Sequence, residues 1–245
     1  MPWERTAAAW ETRAMVPALT DGSARTGAAT RLLILGCVRI FEPVHGYFLR
    51  RELVEWQVDR WANVHPGSIY NALRSLARAG LLEEVPVAAS GARPKRTAFA
   101  LTDVGDREYL ELLRSSLATS IDPVVFAVAV NFATDLPRAD VVALLRERVD
   151  RLRATIAESH ETVAAMLASA TAPPATAEVR LLLAARLAGE LGWVEEYAER
   201  VGAGAYSFAG EAPDWIPSPQ QIREVREAGA GMTRRDLPRT VLDIE

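Results

Sequence analysis

Along residues 30–119 the apolar positions recur with periods that predict helix, helix, helix, a two-stranded hairpin and a further helix. "TRLLILGCVRIFE" carries apolar side chains on nearly every face, which predicts a helix buried on most sides. "EPVHGY" breaks it with Pro43 and Gly46, and a second helix follows through Leu49, Leu53 and Trp56. Pro66 suits a first helical turn, where the missing N–H is not needed. From there Ile69, Leu73 and Leu76 recur at i, i+4, i+7 as one apolar stripe. Ser68, Asn71, Ser75 and Arg78 fall away from that stripe, with Tyr70 and Arg74 towards its flank. Gly80 then ends the helix as a glycine just past the last turn does. "LLEEVPVA" and "TAFALT" are strand-like runs joined by "ASGARPKR", a hairpin loop with Gly, Pro and three cations. Thr102 is placed to cap the next helix, whose Leu110, Leu113 and Leu117 share a face.

Beyond Thr119 the pattern changes. "DPVVFAVAVNFATDLPRADVV" predicts a short apolar helix, a break at Pro137 and a long helix to about Ala170. Within it Val142, Leu145, Val149, Leu152, Ile156, Ser159, Val163 and Met166 follow 3–4 spacing, a coiled-coil-like seam. Arg146, Arg148 and Arg153 flank the seam and would repel across a simple two-stranded homodimer. An acidic neighbour fits better. "TAEVRLLLAARLAGELGWVEEYAERV" provides one, with Leu183, Leu187, Leu191, Val194 and Val201 on a stripe and Glu190, Glu195 and Glu199 beside it. A dimeric helical bundle is the expected arrangement.

Composition narrows the class. A chain of 245 residues holds one large core or two small ones, at roughly 100–200 residues per domain. Cys37 is the only cysteine, so no intrachain disulfide can form, which fits a reducing cytoplasm. "MPWERTAAAWETRAM" has charges where a signal peptide needs an apolar run, and no stretch approaches the roughly 18 apolar residues of a membrane span. A cytoplasmic protein without a membrane segment is expected.

Charge changes the picture more. The chain has a formal net charge of −4, yet residues 30–119 hold 12 basic and 10 acidic side chains. Between Arg60 and Thr102 six basic residues face only Glu83 and Glu84. A local basic patch is the footprint of a polyanion site, although the whole-chain charge argues for none. The third helix would bury Ile69, Leu73 and Leu76 while offering hydroxyls, an amide and guanidinium groups outward. Those groups read base edges and hold phosphates. The DNA-facing candidates are therefore Ser68, Tyr70, Asn71, Arg74, Ser75 and Arg78, with Arg93, Lys95 and Arg96 on the hairpin reaching backbone or minor groove.

Other chemistry is scarce. His45, His65 and His160 lie far apart and none has metal-ligand spacing. No catalytic or cofactor motif is present, so neither an enzyme, a metal nor a cofactor is expected. Cys37, in the first buried helix, reads as core. His45 reads as a capping or structural residue. Trp193, Tyr197, Tyr206, Phe208 and Trp215 cluster in an aromatic-poor chain. They have two readings: the lining of a pocket for a flat small-molecule effector, or the closure of the bundle's end.

The order of elements is that of a winged helix-turn-helix, and the residues resemble the PadR family of transcriptional regulators over 31–117. The resemblance is carried by His45-Gly46-Tyr47, Pro66-Gly67-Ser68-Ile69-Tyr70, Leu73, Leu76, Gly80-Leu81-Leu82, Arg93-Pro94, Leu101-Thr102 and Gly105. It implies a dimeric repressor, ligand-responsive or constitutive, bound to palindromic duplex DNA through Tyr70 and its neighbours. His65 and Ala77 depart from the usual residues, so base preference is not carried over. The expected architecture is mainly α: an N-terminal extension at 1–28, helical arm or disordered, a winged helix-turn-helix DNA-binding domain at 29–119, an α-helical dimerisation domain at 120–230, and a tail at 231–245. The alternative is a winged-helix protein–protein interaction module without DNA binding, which the acidic composition allows.

Overall fold

A computed structural model describes residues 22–62, 64–65, 67–87, 96–168 and 173–231. The first helix, α1 (Gly22–Phe41), is the axle of the N-terminal half. Leu32, Leu33, Ile34, Leu35, Cys37 and Val38 are all fully buried, as the unbroken apolar run requires. Burial, followed by the charges of Glu52 and Asp135, pushes the Cys37 thiol well above its ordinary range, so it stays protonated and inert. Arg39 near the end of α1 is buried too. It is held by Asp106 (Nε to Oδ1, 3.0 Å) and Asp135 (3.3 Å), and Asp135 also accepts the Tyr109 hydroxyl at 2.7 Å. Burial, then the Asp135 charge, raises Tyr109 well above the usual phenol range.

A short strand β1 (Val44–His45) leads into α2 (Gly46–Glu55), a one-turn α3 (Val58–Trp61) and α4 (Ser68–Arg78). The strands β2 (Leu82–Val87) and β3 (Arg96–Leu101) form the hairpin. The expected two-stranded hairpin is thus part of a three-stranded antiparallel sheet in the order β1-β3-β2, with Val44 opposite Phe99 and Leu82 opposite Leu101. A two-residue strand shows no alternation in sequence and exists only because β3 pairs with it. Glu42, buried just before β1, anchors this edge by accepting the Leu101 N–H at 2.7 Å.

α5 (Asp103–Thr119) begins as expected, with the Thr102 hydroxyl accepting the Gly105 N–H at 3.0 Å. Leu113 and Leu117 are buried on its inner face, while Leu110 is only partly covered. α6 (Pro123–Asn131) starts at an Asp122 cap and packs on α1, where a Cβ at Gly36 would lie 2.7 Å from the Phe132 ring. After a 3₁₀ turn (Ala133–Asp135) the chain forms α7 (Arg138–Ala168) and α8 (Ala177–Gly202), a long helical hairpin that also packs on α5.

The seam of α7 is covered within the same chain. Leu145, Val149, Leu152 and Val163 are buried, but Val141 rather than Val142 is fully enclosed, and Arg148 lies among them. The acidic-neighbour expectation is met by two pairs. Arg148 donates to Glu190 (Nε to Oε1, 2.8 Å) and Arg153 to Glu195 (2.6 Å). On α8 Ala184, not Leu183, turns inward, and Leu183 is exposed. Arg138 closes the far end: its guanidinium donates to the Val201, Ala205 and Tyr206 carbonyls and to Glu211, capping the terminus of α8. A final helix α9 (Pro219–Ala228), absent from the sequence expectation, brings the chain back to the edge of β1. Among the described residues no helix is long and apolar enough to cross a membrane.

Candidate nucleic-acid interface

The geometry of α4 follows from its two faces. Ile69 and Leu73 are fully buried and Leu76 nearly so, against α1 and α2. The helix stops in a Schellman motif: Gly80 has φ +75, its N–H donates to Ala77 O (3.0 Å), and the Leu81 N–H reaches Leu76 O (3.0 Å). This closure fixes where the helix ends and where β2 begins.

The outward face holds Tyr70, Asn71, Arg74, Ser75 and Arg78, all exposed, with Ser68 at the first turn partly covered. The Ser68 hydroxyl is spent locally, donating to the His65 carbonyl at 2.7 Å. No hydrogen bond or ion pair engages Arg74 or Arg78 among the described residues, so both guanidinium groups are available to an external anion. α4 itself contains no carboxylate. Arg93 and Lys95 lie outside the described residues. Arg96 opens β3, opposite Val87, and its side chain lies outside the description as well. Pro66, the N-terminal extension before residue 22 and the tail beyond 231 are likewise outside it.

The His45-Gly46-Tyr47 stretch explains how Tyr70 is held. A Cβ at Gly46 would stand 2.9 Å from the Tyr70 ring, so only glycine lets the ring lie on the start of α2. His45 occupies the cap position of α2 without a side-chain capping bond. Its Nδ1–H instead donates to the Thr97 carbonyl of β3 at 3.1 Å, so its role is structural. Tyr70, Arg74, Tyr47 and Arg51 line a cavity of about 680 Å³ that also includes Glu84 and, from α9, Glu227. A second, of about 390 Å³, is lined by Arg74, Ala77, Arg78, Leu82 and Glu84. These are concavities beside a cationic helix. The sequence reading missed the contribution of α9, although Ser218, Pro219 and Gln221 followed by Gly229 spell a helix start and stop.

The aromatic candidates are partly brought together. Trp193 stacks on Tyr197 (centroids 4.9 Å, planes 24° apart), Tyr197 tilts towards Tyr206 at 6.4 Å, and Phe126 meets Trp193 edge-on at 6.1 Å. Phe208 is buried under the Arg138 guanidinium (4.7 Å), and Trp215 is exposed, with no ring contact among the described residues. None of the five lines either cavity described above.

A three-helix core, the exposed cationic helix α4 set on it and a β-hairpin beside that helix define a winged helix-turn-helix domain. Residues 34–111 match the model of the transcriptional regulator PadR-like family, and the chain carries a PadR-like domain there. Two solved structures are similar to the chain. Bacillus subtilis PadR in complex with operator DNA is 19% identical, with 70% of this chain and 98% of that one covered and a TM-score of 0.31. The smu.1604c protein from Streptococcus mutans UA159 is 22% identical, covering 71% of this chain and 96% of that one, also at a TM-score of 0.31. No curated protein matches the chain.

Proposed function

We propose that the chain is a sequence-specific, dimeric DNA-binding transcriptional repressor whose α4 enters the major groove of a palindromic operator. The observation that carries this reading is the carboxylate-free outer face of α4, with Arg74 and Arg78 exposed and uncommitted one turn apart. Tyr70, Asn71 and Ser75 supply the groups for base edges, with Ser68 at the start of the same helix. Arg93, Lys95 and Arg96 on the wing add backbone or minor-groove contacts. The test is duplex binding as a function of salt. Arg74→Ala with Arg78→Ala should weaken binding to every duplex and flatten the logarithmic salt dependence by about 2 for each protomer. If the slope and affinity stay at wild-type values, α4 is not the docking element.

Because the α7 seam is covered inside the chain, pairing needs another surface. Val179, Leu182 and Leu183 on α8 are 64, 62 and 47% exposed and share one helical face. A contiguous apolar face of this kind favours a second copy, and two-fold pairing presents two reading helices about 34–36 Å apart. Leu182→Asp with Leu183→Asp should convert a dimer to a folded monomer, as read by light scattering with an unchanged helical spectrum. A double variant that stays dimeric removes this face from the interface. Release by a small aromatic ligand at Trp193, Tyr197 and Tyr206 completes the reading, supported by the stacked ladder and the exposure of Trp193. The acidic whole-chain charge favours the second reading, a protein–protein module. Binding to DNA that does not fall as salt rises, or no binding at all, would select it.

A further inference from the structure

α9 is defined by its own sequence. Ser218 and Gln221 form a reciprocal capping box, Pro219 opens the first turn, and Gly229 leaves the helix at φ +105. Ile222, Val225 and Ala228 line its inner side, with Ile222 only 2% exposed. Beyond the helix the backbone joins the sheet. Ala230 bridges Val44 in antiparallel fashion, the His45 N–H donates to Gly229 O (3.1 Å), and the Gly231 N–H is shared by Phe41 O (3.0 Å) and Pro43 O (2.9 Å). Two glycines permit this approach. A Cβ at Gly229 would stand 2.6 Å from the His45 ring, and one at Gly231 would stand 2.4 Å from the Glu42 carbonyl oxygen. The segment therefore covers the open edge of β1 and seals it.

The same docking puts Glu227 and Ala228 into the wall of the cavity lined by Tyr47, Arg51, Tyr70 and Arg74. A carboxylate there presents to the reading helix the charge that a DNA phosphate would present. We propose that residues 219–231 form an autoinhibitory latch, which when docked occupies part of the approach to α4 and is displaced by duplex DNA. The latch rests on the reading of α4 as the DNA-facing helix. One short amphipathic helix and a few backbone hydrogen bonds belong to the low-stability end of local opening, so undocking leaves the core folded. A latch closed about nine-tenths of the time weakens apparent affinity about tenfold.

The experiment uses the full-length chain and a fluorescent mixed-sequence duplex of about 30 base pairs, room for two half-sites one turn apart. Gly231→Val places a side chain against the Glu42 backbone and prevents docking. Glu227→Gln leaves the latch docked without its charge. The first should bind the duplex about tenfold more tightly than wild type, and the second should gain a smaller part of that. In wild type, hydrogen exchange at the His45 and Gly231 amides should be slow in the free protein and fast at saturating duplex. Unchanged or weaker binding by a folded Gly231→Val, or amides still protected in the complex, overturns the latch. If Gly231→Val does not fold, Glu227→Gln and the His45 amide decide. Should Arg74→Ala with Arg78→Ala weaken wild-type binding while Gly231→Val changes nothing, the α4 reading stands and the latch falls. Duplex binding by none of these forms overturns both.

Discussion

Gly105→Ala should cost about 3 kcal/mol of stability, the upper part of the range for an overpacked site. Gly105 lies in the first turn of α5, where a Cβ would stand 2.0 Å from the Leu81 carbonyl oxygen. That oxygen cannot step aside. Leu81 closes the Schellman end of α4, and its carbonyl accepts the Thr102 N–H at 3.1 Å and the Thr102 hydroxyl at 3.2 Å. The added methyl therefore sets the end of α4, the cap of α5 and the base of the wing against each other. For a chain of this size the melting temperature should fall by about 6–12 °C. Binding to duplex should weaken with it, since the same contacts set the angle between α4 and the hairpin. A melting temperature within about 2 °C of wild type would mean a loss under 1 kcal/mol and would show that α5 slides freely past Leu81.

That junction was legible in the sequence because each part of it is a local signal. Gly80 marks the end of α4 and Thr102 the start of α5, and the spacing of Ile69, Leu73 and Leu76 fixes which face of α4 is inside. The exposed set Tyr70, Asn71, Arg74, Ser75 and Arg78 follows from that spacing by subtraction. β1 was not legible, because two residues carry no period and the strand is created by its partner. The phase of α7 was only half legible. A helix packed on both α5 and α8 buries more than one stripe, so Val141 is enclosed where a single stripe predicts Val142, and Arg148, expected on the seam's flank, is buried. Leu183 and Ala184 show the same limit. Hydropathy prefers the leucine, whereas the structure turns the small residue inward and leaves the leucine exposed.

α9 was missed for a different reason. Its start and stop signals are present, but they sit in a segment whose Pro213, Pro217 and Pro219 read as loop. What the sequence could not supply was the destination: Ala230 against Val44 joins residues far apart in the chain, and no local pattern encodes it. The candidate site was therefore legible as a helix face but not as a face with a neighbour.

One buried ion pair ties α7 to α8 beside their apolar seam, and Glu190→Ala should expose its contribution. The Arg148 side chain is 4% exposed and that of Glu190 20%. Arg148 donates to Glu190, lies 3.7 Å from the centre of the Phe126 ring, and directs a long contact of 3.4 Å to the Leu117 carbonyl at the end of α5. It thus joins α5, α6 and α8 from a position inside α7. Burial pulls the guanidinium below its ordinary range, and the Glu190 carboxylate works against that pull. Removing the carboxylate leaves a cation enclosed among apolar groups with little to replace it, at a cost of about 3–5 kcal/mol. The melting temperature should fall by about 6–20 °C. A second variant separates charge from packing. Arg148→Met combined with Glu190→Leu removes both partners and fills their space, and should melt close to wild type, because a buried pair is about as stable as the apolar groups that can replace it. If Glu190→Ala melts within about 2 °C of wild type, a loss of under 1 kcal/mol, water reaches Arg148 in solution, and the ion pair does not hold α7 to α8.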